Sequence, residues 1–372
     1  MTELTTNAPS SAPPTTTISI PTTMKAAVRP YWTSFGVDFL EDYPVPAAPT
    51  HPDKILVRVH AAALNPVDYK APRLIFGKVF GMDVCGTIVA LPPNCKNPDL
   101  NVGDVILGLP TLGFAGGLSE YTVCYASKVV KLPRGWTVEE GAAMPVACST
   151  AMDGFRQAGV LDVYQKNPET PPISSILVIG ASGGCGIVAL QLAKGMGIPT
   201  IVGICSAKNA DLCMANGATQ VVPYDDPTAL EKFLDDTKGQ IEMIYDTASY
   251  GGAGALFGAD EDPYCYNPKV VALLPETSRH SRYIQLNGSM RTKVHAVTLG
   301  LVHSRQRSLI VLPNFSGMQL GMELMEKANM KPIIDNQHDF SKEGVTQAYK
   351  ELKSRRAKGK IVISISKKED SK

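Results

Sequence analysis

Residues 180 to 186 read GASGGCG, four glycines between the apolar run Ile176-Leu177-Val178-Ile179 and the stretch IVALQLAKGMG. Glycine tolerates positive φ and lets another group approach the backbone closely. The first turn of a helix presents N–H groups without intrahelical partners and the positive end of its dipole. A glycine-rich turn from strand into helix therefore suits a phosphate. Both flanks have the required form, with Val188 and Leu192 four apart on the helix. Gly183 and Gly184 would turn N–H groups toward a pyrophosphate, with Ala181, Ser182 and Cys185 completing the loop. Gly186 would let the helix lie close to the sheet. A merely tight turn is the bland alternative, and it does not require both flanks.

The next strand, TIVGIC, should end beside the ribose of a bound dinucleotide. An Asp or Glu about 20 residues after the glycines would mark NAD, by bonding the ribose 2′-OH. Here the chain reads Cys205-Ser206-Ala207-Lys208-Asn209, with no acid. A carboxylate would repel a 2′-phosphate, whereas Ser206 and Lys208 would bind it. Tyr224, after the following strand, could stack on the same region. Lys208 on its own is an ordinary surface lysine; with the acid missing, the pattern favours NADPH.

These residues need a frame, and the chain is long enough to build one. Its 372 residues suit two domains. Lys and Arg total 36 against 35 Asp and Glu, a net charge of +1 that gives no electrostatic case for nucleic acid or an anionic membrane. No apolar run approaches the roughly 20 residues of a membrane helix. The eight cysteines contain no CxxC pair and read as reduced thiols, mostly core filler. Residues 1–23 are rich in Ser, Thr and Pro, poor in large apolar groups and free of Arg and Lys, which predicts a disordered tail on a cytoplasmic protein rather than a transit peptide.

From Met24 to about Cys148 the chain is β-rich, with MKAAV, KILVRVHAAAL, GMDVCGTIVAL, GDVILGL and SEYTVCYASKVVKL as strands. STAMDGFRQAGV is helical. From Ile176 to Phe315, apolar strands alternate with helices: ILVIG, TIVGIC, QVVPY, MIYDTA, RYIQLN and SLIVLPNF. That alternation predicts a doubly wound parallel sheet. GMQLGMELMEKANM is a further helix, and GKIVISI a last strand in the style of the first part. The expected division is 24–148 with 316–372 as one discontinuous β-rich domain, and 149–315 as an α/β dinucleotide domain.

Taken in order, AALNPVDYK (62–70), GMDVCGTIVA (81–90), VGDVILGL (102–109), GGLSEYTV (116–123), EEGAAMPVACSTA (139–151), GASGGCG, CSAKNADLCMANGA (205–218) and KGKIVI (358–363) resemble the medium-chain dehydrogenase/reductase superfamily. The likeness is to its zinc-free quinone oxidoreductase or enoyl reductase branch and covers about Met24 to Ser364. It implies a GroES-like domain and a Rossmann domain with the active site between them. It also implies that Thr150 sits near the nicotinamide, that Ser206, Lys208 and Tyr224 take the 2′-phosphate, and that Arg355 lies near the cofactor.

Zinc-dependent members carry a Cys where this chain reads LNPVD, and Gly-His-Glu where it reads Gly81-Met82-Asp83. The six histidines are scattered, and none has a Cys at ligand spacing. Without a metal, the resemblance suits reduction of a conjugated C=C or a quinone, whose own conjugation spreads the incoming charge. It places NPVDYK beside the nicotinamide. There Asn65 would position cofactor or substrate, Lys70 would stabilise an enolate or donate a proton, and Tyr69 would be a second donor, unless Asp68 and Tyr69 only brace the loop. Phe114 would wall the substrate pocket. In relatives the strand matching SLIVLPNF often pairs across a homodimer. The substrate expected is a small enone, enal or quinone. A trans-acting enoyl reductase of a polyketide-type pathway, and a non-catalytic NADPH-binding member of the family, are the competing readings.

Overall fold

The computed structural model describes residues 19–29, 36–70, 78–111, 116–248, 268–277, 282–286, 308–309 and 317–366. The tail before residue 19, Phe114 and most of the strand expected at 308–315 lie outside these residues. So does the side chain of Lys70, whose backbone ends the first helix.

Two strands, β1 (Thr23–Val28) and β2 (Asp38–Pro44), pair antiparallel. The next, β3 (Lys54–Ala63), is buried along nearly its whole length and ends in Ala61-Ala62-Ala63. After a short helix, α1 (Pro66–Lys70), come β4 (Asp83–Ala90), β5 (Val105–Pro110) and β6 (Tyr121–Lys131). These strands run antiparallel in the order β3-β4-β5-β6, and β6 pairs back onto β3, so the sheet curls closed. Helix α2 (Val138–Ala142) starts with a capping box between Thr137 and Glu140. Helix α3 (Pro145–Gln157) follows, buried over most of its surface, then α4 (Val160–Lys166).

The second sheet begins with β7 (Ser175–Ile179), buried at every position as a strand covered on both faces must be. Then come α5 (Gly184–Gly195), β8 (Thr200–Cys205), α6 (Ala210–Ala215), β9 (Gln220–Pro223), α7 (Pro227–Asp236), β10 (Met243–Asp246), α8 (Pro268–Val271), β11 (Tyr283–Gln285) and β12 (Ser308–Leu309). All its pairings are parallel, in the order β12-β11-β10-β7-β8-β9. The chain leaves β7 in one direction and later returns to extend the sheet from its other side. A ligand crevice opens at such a reversal, beyond the carboxyl end of the strands. This Rossmann-type sheet and the closed β-rich sheet are the α/β architecture expected from the sequence.

The chain then runs through α9 (Met318–Lys327), β13 (Ile334–Asp339), α10 (Lys342–Lys353) and β14 (Lys360–Ser364). Strand β14 joins the first sheet antiparallel to β3, with Val362 opposite Ala63, and β13 extends that sheet parallel to β14. β13 reads IDNQHD and lacks an apolar alternation; among the described residues it pairs only with β14, and an edge strand can be polar. Helix α9 does not follow β14 to the first sheet. Its Met318, Met322, Leu324 and Met325 share a core with α3 and α5. Glycines allow that close approach: a Cβ on Gly321 would stand 2.2 Å from Cys148 Sγ. Among the described residues, no helix is long and apolar enough to cross a membrane.

Gly195 tests how tightly α5 and α9 are held. In a helix, alanine is favoured over glycine by about 1 kcal/mol. A Cβ here would stand 2.4 Å from the Leu324 carbonyl oxygen, which is backbone and has no rotamer to escape into. Overpacking of this kind costs about 1–3 kcal/mol and outweighs the propensity gain. Gly195→Ala is therefore expected to lower the urea midpoint of unfolding, and a midpoint at or above the wild type would show that α9 can move aside.

Candidate active site

The two sheets meet at a cleft of about 570 Å³. Its floor is the turn after β7. Gly180 has φ +76°, and its N–H and that of Ala181 both donate to the Ile204 carbonyl at 3.0 Å. Gly183 stands before the first turn of α5 with no side-chain cap, so the N–H groups of that turn remain unpaired within the helix. A Cβ on Gly183 would meet nothing closer than 3.4 Å, whereas one on Gly186 would stand 2.2 Å from the Gly180 carbonyl oxygen. Gly186 is thus required by packing, and Gly183 leaves an open cradle that a phosphate suits. Ser182, Gly183, Gly184 and Cys185 line the cleft, while Ala181 is fully buried in the core beneath it. Burial pushes the Cys185 thiol up to about 11.

The cradle is tied to the first sheet. Gly359, just before β14, donates its N–H to the Ser182 carbonyl at 3.1 Å and forms an isolated parallel bridge with Gly183. Gly359 has φ +90°, and a Cβ there would stand 2.3 Å from the Ile333 carbonyl oxygen.

At the end of β8, Ser206 is buried and Lys208 exposed, and both line the cleft with Tyr224. Asn209 donates from Nδ2 to Ser182 Oγ at 3.1 Å and joins the two loops. Asp225, which the sequence reading passed over, accepts the Ala207 N–H at 2.8 Å. Thr150 lines the opposite wall from α3; its hydroxyl donates to the Val146 carbonyl at 2.5 Å, so it offers the cleft an acceptor. Arg355 lines the cleft in a left-handed conformation, φ +59°, beside Arg356.

The third wall is the turn from β3 into α1. Tyr69 is half-buried there under the Lys353 ammonium, 5.5 Å from its ring centre. Burial pushes its phenol up, and the nearby Arg355 opposes the shift. Asn65 lines the cleft from a buried position. Its Nδ2 donates to Asp83 Oδ2 at 2.8 Å, and its Oδ1 accepts from Lys360 Nζ at 2.6 Å. Lys360 also donates to Asp83 Oδ2 at 2.9 Å and to the Leu64 carbonyl at 3.1 Å. Asp83 Oδ1 accepts the Val146 N–H at 2.7 Å, supplying the N-terminus of α3 with the partner its own cap residue lacks. Met82 instead packs with Leu109, Val146 and Val67.

Lys360 was not singled out in the sequence, although a signal was there. A lysine that opens an apolar strand, IVIS, with a glycine before it must find a buried acceptor or turn outward. Asp83 opens β4 in the same way. The register joins them: Ala63 faces both Asp83 and Val362 across its two neighbours, so Lys360 arrives level with Asn65.

Asp68 lies directly behind. Its Oδ2 accepts the Asn65 backbone N–H at 2.8 Å, while its Oδ1 has no hydrogen-bond partner among the described residues. Burial pushes its carboxyl up to about 7, with Asp83 adding to the shift and the Asn65 N–H, Lys360 and Arg29 opposing it. The folded protein thus holds this proton to about pH 7, whereas the unfolded chain loses it near 3.8. Between those limits folding weakens by up to about 1.4 kcal/mol per pH unit as pH rises. Asp68→Asn keeps the acceptor and removes the charge. Its stability relative to the wild type should climb from about pH 4 to about pH 7 and then level off, measured by urea unfolding across that range. A constant difference would clear Asp68 of this role.

Comparisons with known proteins agree with this architecture. Residues 51–134 match the alcohol dehydrogenase GroES-like domain. The chain is 26% identical over 338 residues to a chloroplastic quinone-oxidoreductase homolog of Spinacia oleracea, covering 88% of this chain and 94% of the relative. It is 29% identical over 336 residues to a trans-enoyl reductase of Aspergillus terreus, covering 84% and 87%. To the 2-methylene-furan-3-one reductase of Solanum lycopersicum it is 29% identical over 364 residues, covering 94% and 81%. In structure it is similar to the quinone oxidoreductase of Coxiella burnetii, with TM-score 0.66 at 21% identity over 92% of this chain and 99% of the other. It is also similar to a mycobacterial protein solved in complex with NADPH, with TM-score 0.61 at 19% identity over 92% and 100%. At such identities these two structures speak to the fold, and the sequence relatives carry the rest. The chain thus carries an alcohol dehydrogenase GroES-like domain, and over most of its length it resembles the quinone oxidoreductase and enoyl reductase branch of the medium-chain dehydrogenase/reductase superfamily, a family of oxidoreductases that bind a nicotinamide cofactor.

Proposed function

We propose that the protein is a reductase that uses NADPH, without zinc, to deliver hydride to a conjugated acceptor such as an enone, enal or quinone. The observation that carries this reading is a single cleft onto which the N-terminus of α5, Ser206 with Lys208, and Asn65 all open. The cofactor supplies the hydride when bound. The loop 182–186 would hold its pyrophosphate, and Thr150 would accept a hydrogen bond from its amide. Ser206, Lys208 and Tyr224 would take the 2′-phosphate, and Arg355 would add positive charge. Lys208, Arg355 and Arg356 line the cleft, and no carboxylate does so among the described residues, which favours the more highly charged of the two nicotinamide cofactors.

The residues at the zinc position of zinc-dependent relatives do not suit a metal. Met82 is packed in an apolar cluster, and Asp83 already faces an ammonium at 2.9 Å and two N–H donors. A dication there would have to displace or repel Lys360. Without a metal ion, an alkoxide from a simple alcohol has no strong stabiliser, whereas a conjugated acceptor spreads its charge itself. Asn65 and Tyr69 are the donors on the cleft wall, and Lys70 ends the same helix. The named relatives reduce or are named for quinones, enoyl groups and an enone, in keeping with this class.

The wild type is expected to bind NADPH at least tenfold more tightly than NADH, about 1.4 kcal/mol. Lys208→Ala should weaken NADPH binding and leave NADH nearly unchanged, measured by fluorescence titration. Equal affinities in the wild type would defeat the cofactor assignment. In steady-state assays, enones and quinones should consume NADPH, and plain alcohols with NADP⁺ should not react. Turnover of alcohols alone would overturn the reading. The Aspergillus terreus relative favours adding an acyl thioester to the panel, and preference for it over free enones would point to enoyl reduction in trans.

A further inference from the structure

We infer that Lys360 is a positioning residue that, with Asp83, fixes the Asn65 amide so that it meets the cleft as a hydrogen-bond donor. The inference deepens the proposed reductase function and rests on it for the identity of what the donor meets. An amide side chain carries one acceptor and one donor group, and in a symmetrical setting it can turn over. Here the setting is polar in one sense only. Oδ1 lies 2.6 Å from an ammonium, which cannot accept, and Nδ2 lies 2.8 Å from a carboxylate, which cannot donate. Turning the amide over would set NH2 against NH3⁺ and oxygen against carboxylate, two repulsions in a site where Asp83 is fully buried and Lys360 nearly so.

One Nδ2 hydrogen is spent on Asp83. The second has no acceptor among the described residues, and Asn65 lines the cleft. That hydrogen is what Asn65 offers a ligand. It suits an oxygen that gains negative charge, as the carbonyl oxygen of a conjugated acceptor does when hydride adds to its β-carbon. The amide oxygen, by contrast, is already turned to the Lys360 ammonium. Lys360 does not act on the ligand itself: its three ammonium hydrogens go to Leu64, Asn65 and Asp83. Its aliphatic stem passes beneath the glycine loop, where a Cβ on Gly184 would stand 2.8 Å from Lys360 Cδ. Lys360→Met keeps most of that stem and removes the charge.

The test has two readouts. In the protein without cofactor, the side-chain amide of Asn65 is assigned in a ¹H–¹⁵N spectrum by its loss in Asn65→Ala. The wild type should show two well-separated Nδ2 hydrogens, one shifted by the carboxylate, and Lys360→Met should collapse or double that pattern. In kinetics with an enone, Lys360→Met should lower kcat by on the order of 10–10²-fold, with the NADPH dissociation constant changed less than about threefold. Placed on Asn65→Ala, the same substitution should cost little more. Because Lys360→Met leaves Asp83 buried and uncompensated, Lys360→Met/Asp83→Asn is made beside it and should show the same loss in a neutral, folded protein. An unchanged amide pattern, or an equal loss of kcat with and without Asn65, would overturn the assignment. If the wild type reduces no enone, the reductase reading fails, and the amide pattern alone still decides whether Lys360 orients Asn65.

Discussion

A buried ammonium and a buried carboxylate 2.9 Å apart hold this molecule's working region together. Asp83 begins β4, Lys360 begins β14, and both meet the turn after β3. Through the Val146 N–H the same carboxylate also anchors α3, the helix that carries Thr150. Moving two charges out of water is costly, and their mutual attraction offsets this only when the remaining hydrogens and lone pairs are satisfied. Here they are: every ammonium hydrogen has an acceptor, and the carboxylate takes three donors. The pair is therefore less a source of net stability than a device for setting direction. Three strands and a helix end arrive where their polar ends can be satisfied together.

That arrangement explains why a cleft forms at all. The second sheet places its crevice at the carboxyl end of β7, and the first sheet brings β14 to the same spot through the Gly359 N–H. Backbones come this close only where side chains are missing, at Gly184 and Gly359. Small residues also end β3, where Ala61, Ala62 and Ala63 let β4 and β14 close in on both edges. The polar cluster sits behind this opening, buried except where Asn65 and Lys360 reach the surface of the cleft. Asp68, its carboxyl pushed up to about 7 by burial, completes the back of the cluster and adds its full negative charge only above neutral pH.

Local signals made much of this readable in the sequence. Continuous apolar runs such as SILVI marked parallel strands, and glycines between strand and helix marked the cradle. Both depend on neighbours a few residues away. The strand β13 escaped notice because its residues are polar, and only the pairing with β14 makes it a strand. The packing of α9 on α3 and α5 was equally hidden, since an amphipathic helix says that it has a partner and not which one. Lys360 was passed over, and Asp83 was weighed only against a zinc ligand, for a related reason. Each reads alone as a charge at the start of a strand, and their meaning appears only when the register brings them to one point. Asn65 was found by its motif, yet the orientation of its amide could not be, because that orientation belongs to its neighbours.

The contact from Lys360 Nζ to the Leu64 carbonyl joins residues 296 positions apart. Closing so long a loop carries an entropic cost that must be met before any of the buried bonds can form. Chains dominated by such distant pairings fold slowly, and large ones pass through partly structured states. The strands β3 to β6 and the parallel sheet can each gather from nearer segments, but the end of β3 lacks its β14 partner until the chain returns. Until then the cradle is untethered, Asp83 has no counter-ion, and the apolar edge of β3 stays open. The pocket thus cannot be complete before β14 docks, and a chain cut short of β14 would leave that edge of β3 open to other strands.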